Sequence, residues 1–156
     1  MSSYLRGALG RVQARSEFRR AHAAARLREA AARLLRRCAR LCPLADAVAE
    51  ASAEAARAAG VLRGPRRLTE VPLERIVGSV DRAEDFAPGF LPLLTRDEER
   101  WVNVYLALAG QEGLPPVELL ELDGEYYVED GHHRVSVLRR LRARTVEAYV
   151  TPLRPV

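Results

Sequence analysis

The segment 130–134, Asp-Gly-His-His-Arg, has the residue types and spacing of a phosphate-binding turn. It follows the strand-like run 125–129 and precedes a helical pattern, so we expect a strand that ends at glycine and opens directly into a helix. The first turn of such a helix presents free backbone N–H groups and the positive end of the helix dipole, which together bind anions. Arg134 lies within that turn and adds a charged, forked set of donors.

A second stretch that could do chemistry lies upstream, where Arg82, Glu84 and Asp85 precede an aromatic residue, Phe86. A loop that holds one arginine and two carboxylates between buried aromatic side chains is suited to line a pocket facing the glycine turn. We regard Arg82 and Asp85 as candidate site residues and Glu84 as a solvated loop charge. Ser79 adds a candidate hydroxyl contact to a ligand.

The elements that must position these residues form an α+β pattern. The predicted strands cover residues 71–77, 116–122, 125–129 and 146–150. Gly78-Ser79 is expected to end the first of these strands, and Asp123-Gly124 is a strong signal for a hairpin. A capping-box sequence at 95–98 predicts one helix, and a second helix is predicted over 132–141. The expected fold is a small mixed β-sheet with helices, preceded by a helical extension.

That extension, residues 1–64, is rich in arginine and alanine, and the second domain is expected to span 68–150. Helices are predicted over 3–41 and 45–59. The first helix is expected to bury an apolar stripe formed by Leu27, Ala31, Leu34, Cys38 and Leu41. Cys38 and Cys42 are four residues apart, which places them on one helix face, and we expect both to be buried as small apolar residues.

Charge is divided unevenly along the chain. All 25 basic residues are arginine, and the net charge is +4. Residues 1–67 contain 15 arginines against five acidic residues, a net of +10, whereas residues 68–156 carry a net of −6. This asymmetry indicates either an acidic partner such as DNA for the first half, or docking of the first half on the second.

The motifs in the second half support a family resemblance. Val-Pro-Leu-Glu-Arg-Ile at 71–76, Pro-Pro-Val-Glu-Leu at 115–119 and Tyr-Tyr-Val-Glu-Asp-Gly-His-His-Arg at 126–134 resemble the N-terminal domain of ParB-like proteins, in the ParB/sulfiredoxin superfamily. The resemblance covers residues 68–150. Sulfiredoxins carry a catalytic cysteine where this chain has His132, so sulfinic-acid reduction is not expected. The Asp-Gly-His-His-Arg form most resembles the free-serine kinase branch.

The resemblance implies that Gly131 and the backbone N–H groups of His132 and His133 cradle the phosphates of a nucleotide, while Arg134 neutralises them. It implies a catalytic role for Asp130, with Glu129, as general base or as the group that orients a metal-bound water. Asp85 and His132 are further catalytic candidates. The alternative is a well-capped helix whose Arg134 pairs with the acidic second half.

Two functions follow from these expectations. The first is a small nucleotide-dependent enzyme, a phosphotransferase or nucleotide hydrolase, that uses ATP, ADP or CTP with Mg²⁺ as a candidate companion. The second is a nucleotide-responsive regulator that contacts DNA through the arginine-rich first half. A homodimer is a candidate assembly for either function.

The sequence also predicts where this protein acts. It contains no run of 18 or more apolar residues, so no membrane span is expected, and a cytoplasmic location is the default. No set of residues has the spacing of a metal site, and no metal ligand is assigned.

Overall fold

The computed structural model describes residues 3–35, 40–54, 61–110 and 113–155. Four α-helices lie within these ranges: α1 Ser3–Leu34, α2 Leu44–Glu54, α3 Glu98–Ala109 and α4 His132–Arg140. The strands there are β1 Cys42–Pro43, β2 Val61–Arg63, β3 Arg67–Pro72, β4 Ile76–Ser79, β5 Phe86–Ala87, β6 Leu91–Pro92, β7 Val117–Leu122, β8 Glu125–Asp130 and β9 Thr145–Pro155. Short 3₁₀ turns lie at Leu73–Arg75, Ala83–Asp85 and Thr95–Asp97. The expected α+β class is confirmed.

Seven of these strands form one mixed sheet in the order β1-β4-β8-β7-β9-β2, with β3 also paired to β9. β4 runs parallel to β1 and β8, β7 and β8 form an antiparallel hairpin, and β7 runs parallel to β9. The long strand β9 pairs with β7 along one side and with β3 and then β2 along the other. The predicted domain boundary therefore falls between two strands that follow each other along the same side of β9.

The sheet is covered on both faces because β7 buries side chains in both directions. Leu119 packs into the main core, which includes α4 and the loop between β4 and α3, whereas Leu120 packs into a second cluster with α2. Strands buried on both faces lose the simple alternation of polar and apolar residues. α4 is thus held between the sheet and a third cluster, which it shares with α1 and α3 through Val137.

α1 packs through a stripe of small residues around one aromatic side chain. The buried residues are Ala14, Phe18, Ala21 and Ala25, spaced at four, three and four residues as one helix face requires. Phe18 meets the indole of Trp101 edge to face, with ring centroids 5.7 Å apart. Small side chains allow the helix axis to lie close to α3 and to the β5–β6 hairpin.

The predicted apolar stripe of the first helix is therefore wrong in most of its residues. Leu27, Ala31 and Leu34 are exposed, because the alanine and Phe18 face has the same helical period and makes the closer packing. Leu41 is buried but lies beyond the helix, and Cys38 lies outside the described residues. Cys42 is exposed, contrary to the prediction, because it lies in the edge strand β1 and not on a helix.

Three local predictions also need correction. Gly78-Ser79 does not end the first strand but belongs to β4, and the 3₁₀ turn at Leu73–Arg75 separates β3 from β4. The capping box at 95–98 forms a 3₁₀ turn, and no side chain caps α3. The last strand extends to Pro155 because β2 provides further pairing.

Other predictions are confirmed. The β7–β8 hairpin turns at Asp123 and Gly124, whose φ angles are 52° and 83°, as the favoured two-residue hairpin turn requires. α4 covers nearly the predicted range and ends in a Schellman motif. In that motif the N–H of Ala143 donates to the carbonyl of Leu138, and the N–H of Arg142 donates to the carbonyl of Arg139.

Gly78 offers a direct test of how β4 is packed. A Cβ atom at this position would overlap the carbonyl oxygen of Cys42 and lie 2.6 Å from Cδ1 of Tyr127. We expect Gly78→Ala to lower the free energy of unfolding by about 3 kcal/mol, because the added Cβ would overlap the backbone of β1 and the buried ring of Tyr127. Urea unfolding followed by circular dichroism measures this change.

Gly113→Ala is the matched control, because nothing lies within 4 Å of its Cβ position. Its effect should stay within about 0.5 kcal/mol. Equal effects of the two substitutions would contradict the close approach of β1 to β4.

Candidate functional site

A cavity of about 300 Å³ lies at the N-terminus of α4. Its lining combines arginine and histidine side chains with the glycine turn. The lining residues are Arg82, Arg100, Val104, Asp130, Gly131, His132, His133 and Arg134. The structure therefore brings together most of the residues singled out in the sequence, from the β4–α3 loop and from the β8–α4 turn.

The turn into α4 depends on Gly131, which has a φ of 102°. This left-handed conformation favours glycine. A Cβ atom there would also lie 2.6 Å from Cγ1 of Val117 on the neighbouring strand. No side chain caps the helix, and the N–H of Val135 makes a first-turn bond with the carbonyl of Gly131. The N–H groups of the preceding residues lack intrahelical acceptors.

His132 is fixed by a buried contact with Ser79. A hydrogen bond of 2.7 Å joins Ser79 Oγ to His132 Nε2. The same oxygen accepts the backbone N–H of Arg82 at 2.8 Å, and the imidazole stacks on Phe86 with ring centroids 6.0 Å apart. Ser79 is fully buried, so its hydroxyl group positions His132 and the loop. The predicted ligand contact of Ser79 stays a prediction.

Arg82 occupies the centre of a polar cluster behind the cavity. Its guanidinium donates to Asp85 at 2.7 Å, to Asp97 at 3.0 Å and to His133 Nε2 at 3.3 Å. An arginine can only donate, so His133 Nε2 is the acceptor and the proton of the neutral ring sits on Nδ1. Nδ1 is buried and has no partner among the described residues. It is an N–H donor still lacking an acceptor.

Both histidines are neutral at physiological pH. Burial lowers the pKa of His132 to about 4, and the positive charge of Arg82 adds to this effect. Burial also lowers the pKa of His133 to about 4, against the opposing influence of Asp97. The two imidazoles therefore supply hydrogen-bonding groups to the site without adding positive charge.

Arg134 has a structural role that the sequence indicated only as an alternative. Its Nη1 donates to the carbonyls of Pro115 and Pro116 at 2.5 and 2.9 Å, and its Nη2 bonds Asp130 at 2.6 Å. The guanidinium thus ties α4 to the segment that leads into β7. It also lines the cavity, so its predicted contact with phosphate stays a prediction.

The three predicted catalytic carboxylates lie in different surroundings. Asp130 lines the cavity, and its side chain is 71% exposed while pairing with Arg134. Glu129 accepts two bonds from Arg63 and does not line the cavity. Asp85 accepts from Arg82 behind the cavity wall. The geometry leaves Asp130 as the carboxylate best placed to meet a ligand.

Two cavity residues on α3, Arg100 and Val104, were not among the predicted site residues. They are four residues apart and share one helix face. The sequence predicts Val104 on the apolar face of a helix with Trp101 and Tyr105, which indicates packing rather than binding. Asp97, which accepts a hydrogen bond from Arg82 and lies just before α3, was likewise not predicted as a site residue. Its position just before an amphipathic helix was the available signal.

The basic first half docks on the acidic second half. This was one of the two explanations that the sequence offered for the uneven charge. Arg11 and Arg15 pair with Glu99 on α3, and Arg140 pairs with Glu17 on α1. Further pairs join Arg63 to Glu129, Arg66 to Glu118 and Arg67 to Glu121. These contacts account for part of the charge asymmetry. DNA binding by the first half stays a prediction.

The described residues hold neither a metal-binding cluster nor a membrane-spanning helix. No group of three or more His, Cys, Asp or Glu residues in those ranges could hold a metal ion. None of the helices described there is long and apolar enough to cross a membrane.

The lowered histidine pKa values predict a pH dependence of stability. Unfolded histidines titrate near pH 6.5 and these folded ones near 4, so the unfolded state binds protons first as the pH falls. The contribution of the two neutral histidines to the free energy of unfolding is complete above pH 6.5 and is lost as the pH falls. Urea unfolding should show a loss on the order of 1–2 kcal/mol per histidine between pH 7 and pH 5.

The variant His133→Gln should show a shallower decline over the same pH range, although it is less stable at pH 7. A free energy of unfolding that is constant from pH 7 to pH 5, or a slope that His133→Gln leaves unchanged, would show that these histidines are not held neutral by burial.

Comparisons with known proteins give a distant structural likeness and no match in sequence. No protein-family model and no curated protein matches the chain. Among solved structures, the chain is similar to a sulfiredoxin from Arabidopsis thaliana, with 21% sequence identity and a TM-score of 0.41. The similarity covers 54% of this chain and 83% of the sulfiredoxin chain. A likeness at this level assigns neither a family nor an activity to this protein.

Proposed function

We propose that this protein binds the phosphate groups of a nucleotide, or of another phosphorylated small molecule, at the N-terminus of α4. One observation carries the proposal: a cavity at an uncapped helix N-terminus is lined by Arg82, Arg100 and Arg134. Free N–H groups, a positive dipole end and guanidinium groups all favour negative charge. Asp130 is the carboxylate in that lining, and Arg134 neutralises it.

The histidine pair fits the same ligand. Both residues line the cavity and begin α4, so their backbone N–H groups lack intrahelical acceptors. The volume of about 300 Å³ is at the lower end of small-molecule sites, which suits phosphate groups. The resemblance of residues 126–134 to ParB-like domains agrees with this proposal.

A catalytic function is the further step of this proposal. A phosphotransferase or nucleotide hydrolase needs a group that accepts a proton from the attacking hydroxyl group or water. Asp130 is the candidate, since it lines the cavity and is exposed to solvent. Its carboxylate is also the group in the lining that could contact Mg²⁺ accompanying a nucleotide.

Arg100 gives the sharpest test, because Arg134→Ala would also break the contacts with Pro115 and Pro116. Arg100 lines the cavity and has no hydrogen-bond or ion-pair partner among the described residues. The test is a thermal-shift assay with ATP, ADP, CTP, GTP and inorganic phosphate, each with and without Mg²⁺. A ligand that binds the site should raise the melting temperature of the wild type. We expect Arg100→Gln to weaken binding about tenfold, as loss of one charged hydrogen bond predicts.

Arg96→Gln is the matched control, since it removes the same charge from an exposed position that does not line the cavity. It should leave the ligand-induced shift close to the wild-type value. Absence of a shift with every ligand at millimolar concentration, or equal losses in the two variants, would refute phosphate binding at this turn.

A further inference from the structure

A larger cavity, of about 720 Å³, lies near the opposite end of α4. Its walls come from α1, from the segment around Leu73, from the β5–β6 turn and from the turn between α4 and β9. The charged residues of its lining are Arg28, Glu74, Arg139, Arg140, Arg142 and Arg144. Among the described residues, the lining therefore holds five arginines and one carboxylate, in a cavity large enough for a drug-sized ligand.

Arg139 brings a positive charge into this cavity without a counterion. Its Nη2 donates to the carbonyls of Leu73 and Ile76, and its Nε is buried without a partner among the described residues. Burial lowers the pKa of this guanidinium. Carbonyl oxygens satisfy donors but do not neutralise charge, so a buried cation of this kind favours an anion nearby.

Arg142 has a backbone conformation in which arginine is less favourable than glycine. It occupies the left-handed position of the Schellman motif with a φ of 58°, where glycine is the residue of lowest cost. Arginine at this position is strained relative to glycine, yet it lines the cavity. No described residue forms a hydrogen bond or an ion pair with Arg142 or with its neighbour Arg144. Both side chains are available to a ligand.

Stabilisation of the helix dipole explains only some of these arginines. Arg139 and Arg140 lie in the last turn of α4, where positive charge interacts favourably with the helix end. Arg140 is further paired with Glu17. Arg142 and Arg144 lie beyond the helix, and Arg28 comes from α1, where it bonds the carbonyl of Pro88 at 2.5 Å. The helix dipole therefore does not explain why Arg28, Arg142 and Arg144 line this cavity.

We propose that this cavity is a second anion site, which binds a small molecule carrying two or more phosphate groups. The chemical basis is that Arg28, Arg142 and Arg144 line the same cavity as the uncompensated guanidinium of Arg139. Several phosphates are needed to engage arginines that come from separate walls of the cavity. Nothing in this proposal depends on the phosphate site at the other end of the helix.

Isothermal titration of the full chain with sodium tripolyphosphate at low ionic strength tests the proposal. Arg142→Gly and Arg144→Gln should each weaken binding about tenfold, as loss of one charge-assisted contact predicts. Arg142→Gly relieves the left-handed strain, so its melting temperature should equal or exceed that of the wild type. Its loss of binding cannot then come from unfolding. Binding should also weaken as salt is added.

Arg19→Gln is the charge-matched control, because Arg19 is exposed on α1 and lines neither cavity. It should bind as the wild type does. Arg100→Gln should bind tripolyphosphate at this cavity as the wild type does, whereas Arg142→Gly should bind it more weakly. This difference separates the two sites. The proposal is overturned if the wild type shows no binding at millimolar concentration, or if Arg100→Gln abolishes binding that Arg142→Gly retains.

Duplex DNA is the last ligand to be tested. A short duplex that binds more tightly than tripolyphosphate, and loses affinity in Arg142→Gly, would show that the cavity belongs to a nucleic-acid surface. That result would also overturn the small-ligand proposal.

Discussion

The close contact between Gly131 and Val117 is the constraint on which the candidate site depends. β8 must end and α4 must begin within one residue, directly against β7, and only a residue without a Cβ fits there. This abrupt turn fixes where the helix N-terminus opens and which side chains follow it. His132 and His133 then enter the core rather than solvent, and their burial makes them neutral.

The sequence predicted the elements whose signals are local. The hairpin at Asp123-Gly124 and the glycine that opens α4 depend on backbone conformations that few other residues adopt. The residue types at these positions are therefore enough to predict them. The burial of α1 could not be predicted in the same way. Alanine and leucine stripes share one helical period, and the choice between them is made by α3 and the β5–β6 hairpin, which are distant in sequence.

The candidate site shows the same division. The glycine turn and its neighbours were recognisable because they are contiguous, whereas the Arg82 cluster depends on residues separated along the chain. Asp97 and Arg100 reach the site only because the 3₁₀ turn before α3 places them beside the first turn of α4. Arg134 shows a further limit of sequence reasoning. The residue type suggests a phosphate ligand, but the carbonyls it holds lie in a segment that no local pattern connects with it.

The two short strands β1 and β2 have a consequence beyond their length. Together with β3 they form the outer edges of the main sheet, and both come from the first half of the chain. Without them, one side of β4 and the end of β9 would expose unpaired backbone groups that attract strands from other molecules. The first half of the chain therefore supplies backbone partners to strands of the second half, in addition to its helices. A fragment that begins after Pro43 would lose the pairing of β1 with β4, although it would keep the motifs at 71–76, 115–119 and 126–134.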